Sequence, residues 1–199
     1  MHLKISHYSY RLLLIIALLP FWAEAHVDSH QALGFTTGLG HPWSGLDHIL
    51  AMVAIGIWGA QLGRPAVWLL PVVFPMMMAF GGMLGLLGVP FPSVEAGIAI
   101  SAIVLGLMVL FEVKGNMQLI VALVGFFALF HGYAHGTELP EGQSGLLYSM
   151  GFVVGTGLLH GIGIGLGLLH RFQYGRLALR AAGSIVMLMG GVFLWQAMA

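Results

Sequence analysis

The sequence predicts an all-α polytopic membrane protein, a bundle of six transmembrane helices behind a cleaved amino-terminal signal peptide. Three observations carry that prediction. Of 199 residues, 59% are apolar and 7% charged, against about 45–50% and about 25% in an ordinary soluble domain. The apolar residues fall in runs of about 20, the length one helix needs to cross the hydrocarbon core. Nearly all charges and turn residues sit in short breaks between those runs. Seven Lys plus Arg offset seven Asp plus Glu, so no basic surface exists to neutralise phosphates, which excludes nucleic acid as a partner. The chain has no cysteine. Disulfides and thiolate sites are therefore excluded, and any metal must be held by His, carboxylate or Met.

The elements follow in order. Lys4 and Arg11 precede an apolar run from Leu12 to Trp22, and Ala23-Glu24-Ala25 fits the small-x-small cleavage pattern, so residues 1–25 read as a secretory signal peptide. The mature domain, 26–199, then begins at His26 outside the cytoplasm. Six spans are expected at about Pro42–Leu62, Ala66–Gly88, Val94–Phe111, Met117–His135, Leu146–Leu169 and Leu177–Met198, each long enough for one helix with some tilt. With the amino end outside, Arg64, Lys114, Arg171, Arg176 and Arg180 all fall on the cytoplasmic side, as the positive-inside rule requires. The chain holds 30 glycines. Their four-residue spacings at Gly157, Gly161 and Gly165, at Gly151 with Gly155, and at Gly81 with Gly85 are expected to let helix backbones approach closely. No Gly-rich loop runs into Lys and Ser/Thr, so the chain has no cradle for nucleotide phosphates.

Ionisable side chains inside spans cost at least ~2.5 kcal/mol for a central Asp, which marks them as functional candidates. His41-Pro42-Trp43-Ser44-Gly45-Leu46-Asp47-His48 opens the first span. At 100° per residue, one helix would carry His41, His48 and Met52 within about 40° of each other, flanked by Asp47. That carboxylate can ligate directly or hold a ring N–H of a ligating histidine. Phe130-His131-Gly132-Tyr133-Ala134-His135-Gly136-Thr137-Glu138 closes the fourth span. His131 and His135, four apart, share a face and can grip one metal; Glu138 continues that face if the helix survives Gly136. Both groups sit at the outer ends of their helices, where they can meet. His160 lies about 22 Å along the fifth span from Gly145 at 1.5 Å per residue, a second stop on an inward path. His170 is an exit ligand or a solvated interface residue. His26 and His30, beside Asp28, are an outer capture site or a plain tail. Met52 and Met76-Met77-Met78 read as adaptable core filler.

Imidazole with carboxylate and no thiolate suits divalent Ni, Co, Zn or Cu over Mg or Ca, which take oxygen shells. A permeating ion must be released, so an open, weakly multidentate site is expected, with no metal permanently bound. Neutral imidazoles titrate near about 6.5. Uptake measured against pH is therefore expected to fall as the medium is acidified through that range, because protons displace the metal.

These residues resemble the HupE/UreJ family of membrane proteins, found with nickel hydrogenase and urease systems. The likeness covers nearly the whole mature chain and rests on His-Pro-x-x-Gly-x-Asp-His at His41–His48 and on the second His-rich motif at Phe130–Glu138. It implies secondary permeation of Ni2+, or in some members Co2+, through the bacterial inner membrane for metalloenzyme maturation. The implied roles fall on His41, Asp47, His48, His131, His135 and Glu138, and nickel comes from the likeness alone.

Three rivals remain at this stage. Gly142-Gln143-Ser144-Gly145 fits the Gly-x-Ser-Gly pattern of rhomboid-type intramembrane proteases, with Ser144 as nucleophile, although Gly and Ser after Pro140 are ordinary turn residues. Two helical histidines can hold haem or copper for electron transfer. A storage or sensing accessory protein would bind the ion without translocating it. No enzymatic activity is expected.

Overall fold

In the computed structural model, residues 29–139 and 142–199 are described, with side chains from Gly34 onward. The expected signal peptide, His26 and Asp28 lie outside these residues, as does the His30 side chain. Every regular element among the described residues is helical: α1 (Ser29–Gly40), a 3-10 turn (His41–Trp43), α2 (Leu46–Leu62), α3 (Ala66–Leu86), α4 (Val94–Leu110), α5 (Met117–Thr137), α6 (Gly145–Gly167), a second 3-10 turn (Leu168–Arg171) and α7 (Gln173–Met198). Five helices are long and apolar enough to cross a membrane, and six crossings result if the bent pair Gly34–Trp43 and Leu46–Leu62 counts as one. The chain is a multi-pass membrane protein.

The last five expected spans match α3 to α7 within a few residues, because each is a predominantly apolar run flanked by turn chemistry. Asn116 and Ser144 cap the starts of α5 and α6, accepting from the Gln118 and Leu147 amides, which supplies helix starts with one of their missing partners. Pro71 and Pro75 sit inside α3, positions that membrane-spanning helices tolerate. The first span differs from expectation. A helix, α1, precedes it, and the chain bends by 77° between Trp43 and Leu46. Ser44 donates its hydroxyl to the His41 carbonyl at 2.7 Å, and Gly45 is extended at φ −106° and ψ 123°. The helical ladder is interrupted there, so His41 and His48 are not on one helical stripe.

Helix α2 is the central column. Eleven of its residues are buried, from His48 to Gln61, because it packs against α3, α4, α6 and α7. Its far end is tied by Trp58 Nε1 donating to the Val113 carbonyl at 2.9 Å and Gln61 Nε2 to that of Val109 at 3.1 Å. Beside that end, Arg180 Nε lies 3.5 Å from Glu112 Oε1. The loops after α2 and α4 and the start of α7 thus share one end of the bundle, opposite the end where His48, His131 and His135 lie.

Small residues set the spacing, though not all those expected. On α6 the inward stripe is Gly151, Gly155, Leu159, Gly163 and Gly167, all buried. A Cβ at Gly151 would overlap the Phe35 carbonyl of α1, and one at Gly163 the Val53 carbonyl of α2. Gly157, Gly161 and Gly165 face outward, where an added Cβ meets nothing. Their spacing is that of a packing ridge, but they lie on the opposite side of the helix. Gly81 and Gly85 behave as expected, meeting the backbones at Leu129 and Tyr133 of α5.

Candidate metal centre

Three segments converge at the end of the bundle where α2 begins and α5 stops. The 3-10 turn, with Pro42 in its first turn, carries His41 there. Helix α2 contributes Asp47 and His48 from its first turn, and α5 contributes His131 and His135 from its last two turns. The α5 helix survives Gly136 as far as Thr137. Glu138 then caps it, its amide donating to the Ala134 carbonyl at 3.1 Å.

The bend separates the first motif into two roles. His41 Nε2 lies 3.2 Å from Glu138 Oε2, and His135 Nδ1 lies 3.9 Å from the same oxygen. One ligand atom from each of His41, His135 and Glu138 falls within 4.8 Å of the others. Ligands about 2.1 Å from a tetrahedral metal stand about 3.4 Å apart, so a small closure of these three would fill three of the four positions. His48 lies deeper. Its ring centroid is 4.4 Å from that of His135 and 4.8 Å from that of His131. His135 touches both groups, its centroid being 4.6 Å from that of His41.

Burial grades these groups from outside inward. The Glu138 side chain is 55% exposed, that of His41 22% and that of His135 6%, while His131 is 0% exposed. From the surface inward the side chains therefore run from carboxylate to buried imidazole. A cavity of about 310 Å³ between α3, α5 and α6 also reaches His135, but Met78, Met83, Tyr148 and Phe152 make it apolar. The exposed edge of the cluster is at Glu138 and His41.

Several ring nitrogens lack partners among the described residues: Nε2 of His48, Nδ1 of His131, and both nitrogens of His135. A buried unsatisfied polar group costs about 1–3 kcal/mol. Asp47 Oδ1 stands 3.0 Å from His48 Nδ1. A carboxylate can only accept, so His48 Nδ1–H donates and Nε2 keeps a free lone pair.

His160 is not part of this cluster. It stands on α6, 1% exposed, with both ring nitrogens unpartnered, and the Phe74 ring separates it from His131 at centroid distances of 5.7 and 5.5 Å. Thr156, one turn away on α6, is also fully buried with an unpartnered hydroxyl. His170 Nδ1 donates to the Gly167 carbonyl at 2.8 Å and so closes the end of α6. Met52 and Met78 are core, whereas Met76 is exposed. Ser144 caps α6.

Two contacts were not anticipated from sequence. Phe74 comes from a span without charge, and nothing in its surroundings singles it out. Ser101 hydrogen-bonds His131 at 2.8 Å. It is the lone polar side chain between Glu95 and Glu112, a signal that was available in the sequence.

The family profile described as HupE / UreJ protein matches residues 13–193. Protein HupE of Rhizobium leguminosarum bv. viciae is 48% identical over 176 residues, which cover 88% of this chain and 92% of that protein. No solved structure matches. With both histidine motifs inside the matched region and nearly the full length aligned, the chain belongs to the HupE/UreJ family.

Proposed function

We propose that the chain is a secondary permease for a divalent transition-metal ion, Ni2+ foremost and Co2+ next, in the bacterial inner membrane, supplying metalloenzyme maturation. The observation that carries this reading is His135. It is buried, touches His41 and His48, lies beside Glu138, and leaves both ring nitrogens without partners. That combination is costly unless a ligand completes it. The donor set supports a transition metal, and the family resemblance supports nickel. The ion passes from Glu138 with His41 and His135, to His48 and His131, and then past Phe74 to His160 and Thr156. The bent pair α1–α2 counts as one span, giving six, with the metal centre on the periplasmic side and the cationic loops inside.

Radiolabelled Ni2+ and Co2+ uptake into reconstituted vesicles tests the reading. Saturable accumulation inside the vesicles is expected, and Ser144→Ala leaves it unchanged. Binding without accumulation would make the protein a store or sensor. His160→Ala is expected to bind Ni2+ at the outer cluster as wild type does, yet to lose about tenfold or more of the flux. Unchanged flux in that variant would remove His160 from the path.

A further inference from the structure

We propose that Ser101 is a positioning residue: it locks His131 in the tautomer that carries its hydrogen on Nε2, leaving Nδ1 as the atom that meets the metal ion. The lock stands on geometry alone, and only the identity of the ligand rests on the permease reading. Ser101 lies midway along α4 and is 0% exposed. Its hydroxyl oxygen is 2.6 Å from the Ile98 carbonyl and 2.8 Å from His131 Nε2. One hydroxyl hydrogen faces two neighbours. The carbonyl can only accept, and two oxygens 2.6 Å apart need a hydrogen between them. Ser101 therefore donates to Ile98, a common back-bond within a helix. Its lone pair is what remains for His131, so the imidazole must donate from Nε2. A neutral imidazole carries one hydrogen, which leaves the lone pair on Nδ1, the nitrogen that is buried without a partner.

The same logic holds the neighbouring ring. Asp47 takes the Nδ1 hydrogen of His48 and frees Nε2. Two touching rings, 4.8 Å apart and 88° to one another, thus each keep one free nitrogen. Asp47 fixes one of them, and a hydroxyl from a third helix fixes the other. Partners of this kind orient a ligating ring and settle its tautomer, and losing one typically costs 10–100-fold in metal affinity or activity, roughly.

The test uses the full chain in lipid nanodiscs, stripped of metal, with 15N-labelled histidine rings, at about pH 8.5, where imidazoles are neutral. The His131 signals are those lost in His131→Gln. Hydrogen on Nε2 is expected in wild type and in Ser101→Thr, which keeps the hydroxyl. Ser101→Ala is expected to give a mixture of tautomers. Equilibrium dialysis with Ni2+ is expected to show affinity about tenfold lower in Ser101→Ala and largely restored in Ser101→Thr. Hydrogen on Nδ1 of wild-type His131 would overturn the proposal, and so would Ser101→Ala binding Ni2+ as tightly as wild type. The wild-type spectrum decides even if Ser101→Ala fails to insert. A wild type that shows the Nε2 hydrogen but binds no Ni2+ would sink the permease reading while supporting the lock.

Discussion

A His48→Ala protein is expected to insert and fold, but to take up Ni2+ at least about tenfold more slowly than wild type in reconstituted vesicles. The size of the effect follows from where the ring stands. His48 touches both α5 histidines, so it joins the outer trio of His41, His135 and Glu138 to the deeper, fully buried His131. Its removal takes out one free ring nitrogen and leaves the Asp47 carboxylate without its 3.0 Å partner. The fold should tolerate the change, because the ring lies at the first turn of α2, outside the apolar cluster of the core. Met52→Leu, one turn deeper on the same helix and fully buried, is the control. A volume-conserving swap costs less than about 1.5 kcal/mol, and uptake stays near wild type if sulfur is not a ligand. Equal uptake by His48→Ala and wild type would dismiss the proposed path, and a Met52→Leu protein as impaired as His48→Ala would make the thioether part of it.

Gly132→Ala is expected to destabilise the bundle by more than about 1–3 kcal/mol, the ordinary cost of overpacking, and Gly157→Ala to be neutral or slightly stabilising. Thermal unfolding of the two variants in one detergent compares them directly. At Gly132 an added Cβ would overlap the Met78 backbone carbonyl of α3, and at the neighbouring Gly136 that of Gly82. Backbone cannot move aside as a side-chain tip can, so α3 and α5 would have to separate just beneath the histidines. At Gly157 nothing lies within 4 Å, and alanine removes only the excess freedom of glycine, worth about 0.5–1 kcal/mol. Similar melting temperatures for the two variants would refute the close approach of α3 and α5.

Long apolar runs made α3 to α7 readable, since in lipid the run length and the helix length are the same quantity. Helix α1 escaped because its residues, Ser29–Gly40, mix glycine, threonine and apolar positions without a run long enough to notice. The histidines were found by their cost in lipid, but the expected reason for their meeting was partly wrong. Periodicity placed His41 and His48 on one stripe, whereas the extended Gly45 breaks it: both rings meet His135, but His41 pairs with Glu138 and His48 reaches the deeper His131. The glycine spacings had the same limit. Gly157, Gly161 and Gly165 differ from the packing stripe at Gly151, Gly155, Gly163 and Gly167 only in which way the helix is rotated, and that is set by neighbours the pattern does not name. Ser101 is the converse case: as the lone polar side chain of its span it stands out in the sequence, but its partner, His131, appears only when α5 lies beside it.

The abrupt stop of α5 at Thr137 beside the start of α2 at Leu46 has an electrostatic result. Helix ends carry about half an elementary charge, positive where a helix begins and negative where it finishes. The two half-charges oppose each other across the histidines and nearly cancel, leaving the carboxylates of Asp47 and Glu138 to set the balance. A pair of ionised carboxylates carries the charge that one dication on the proposed path would neutralise, and the ion's release inward would leave the same charge to draw the next.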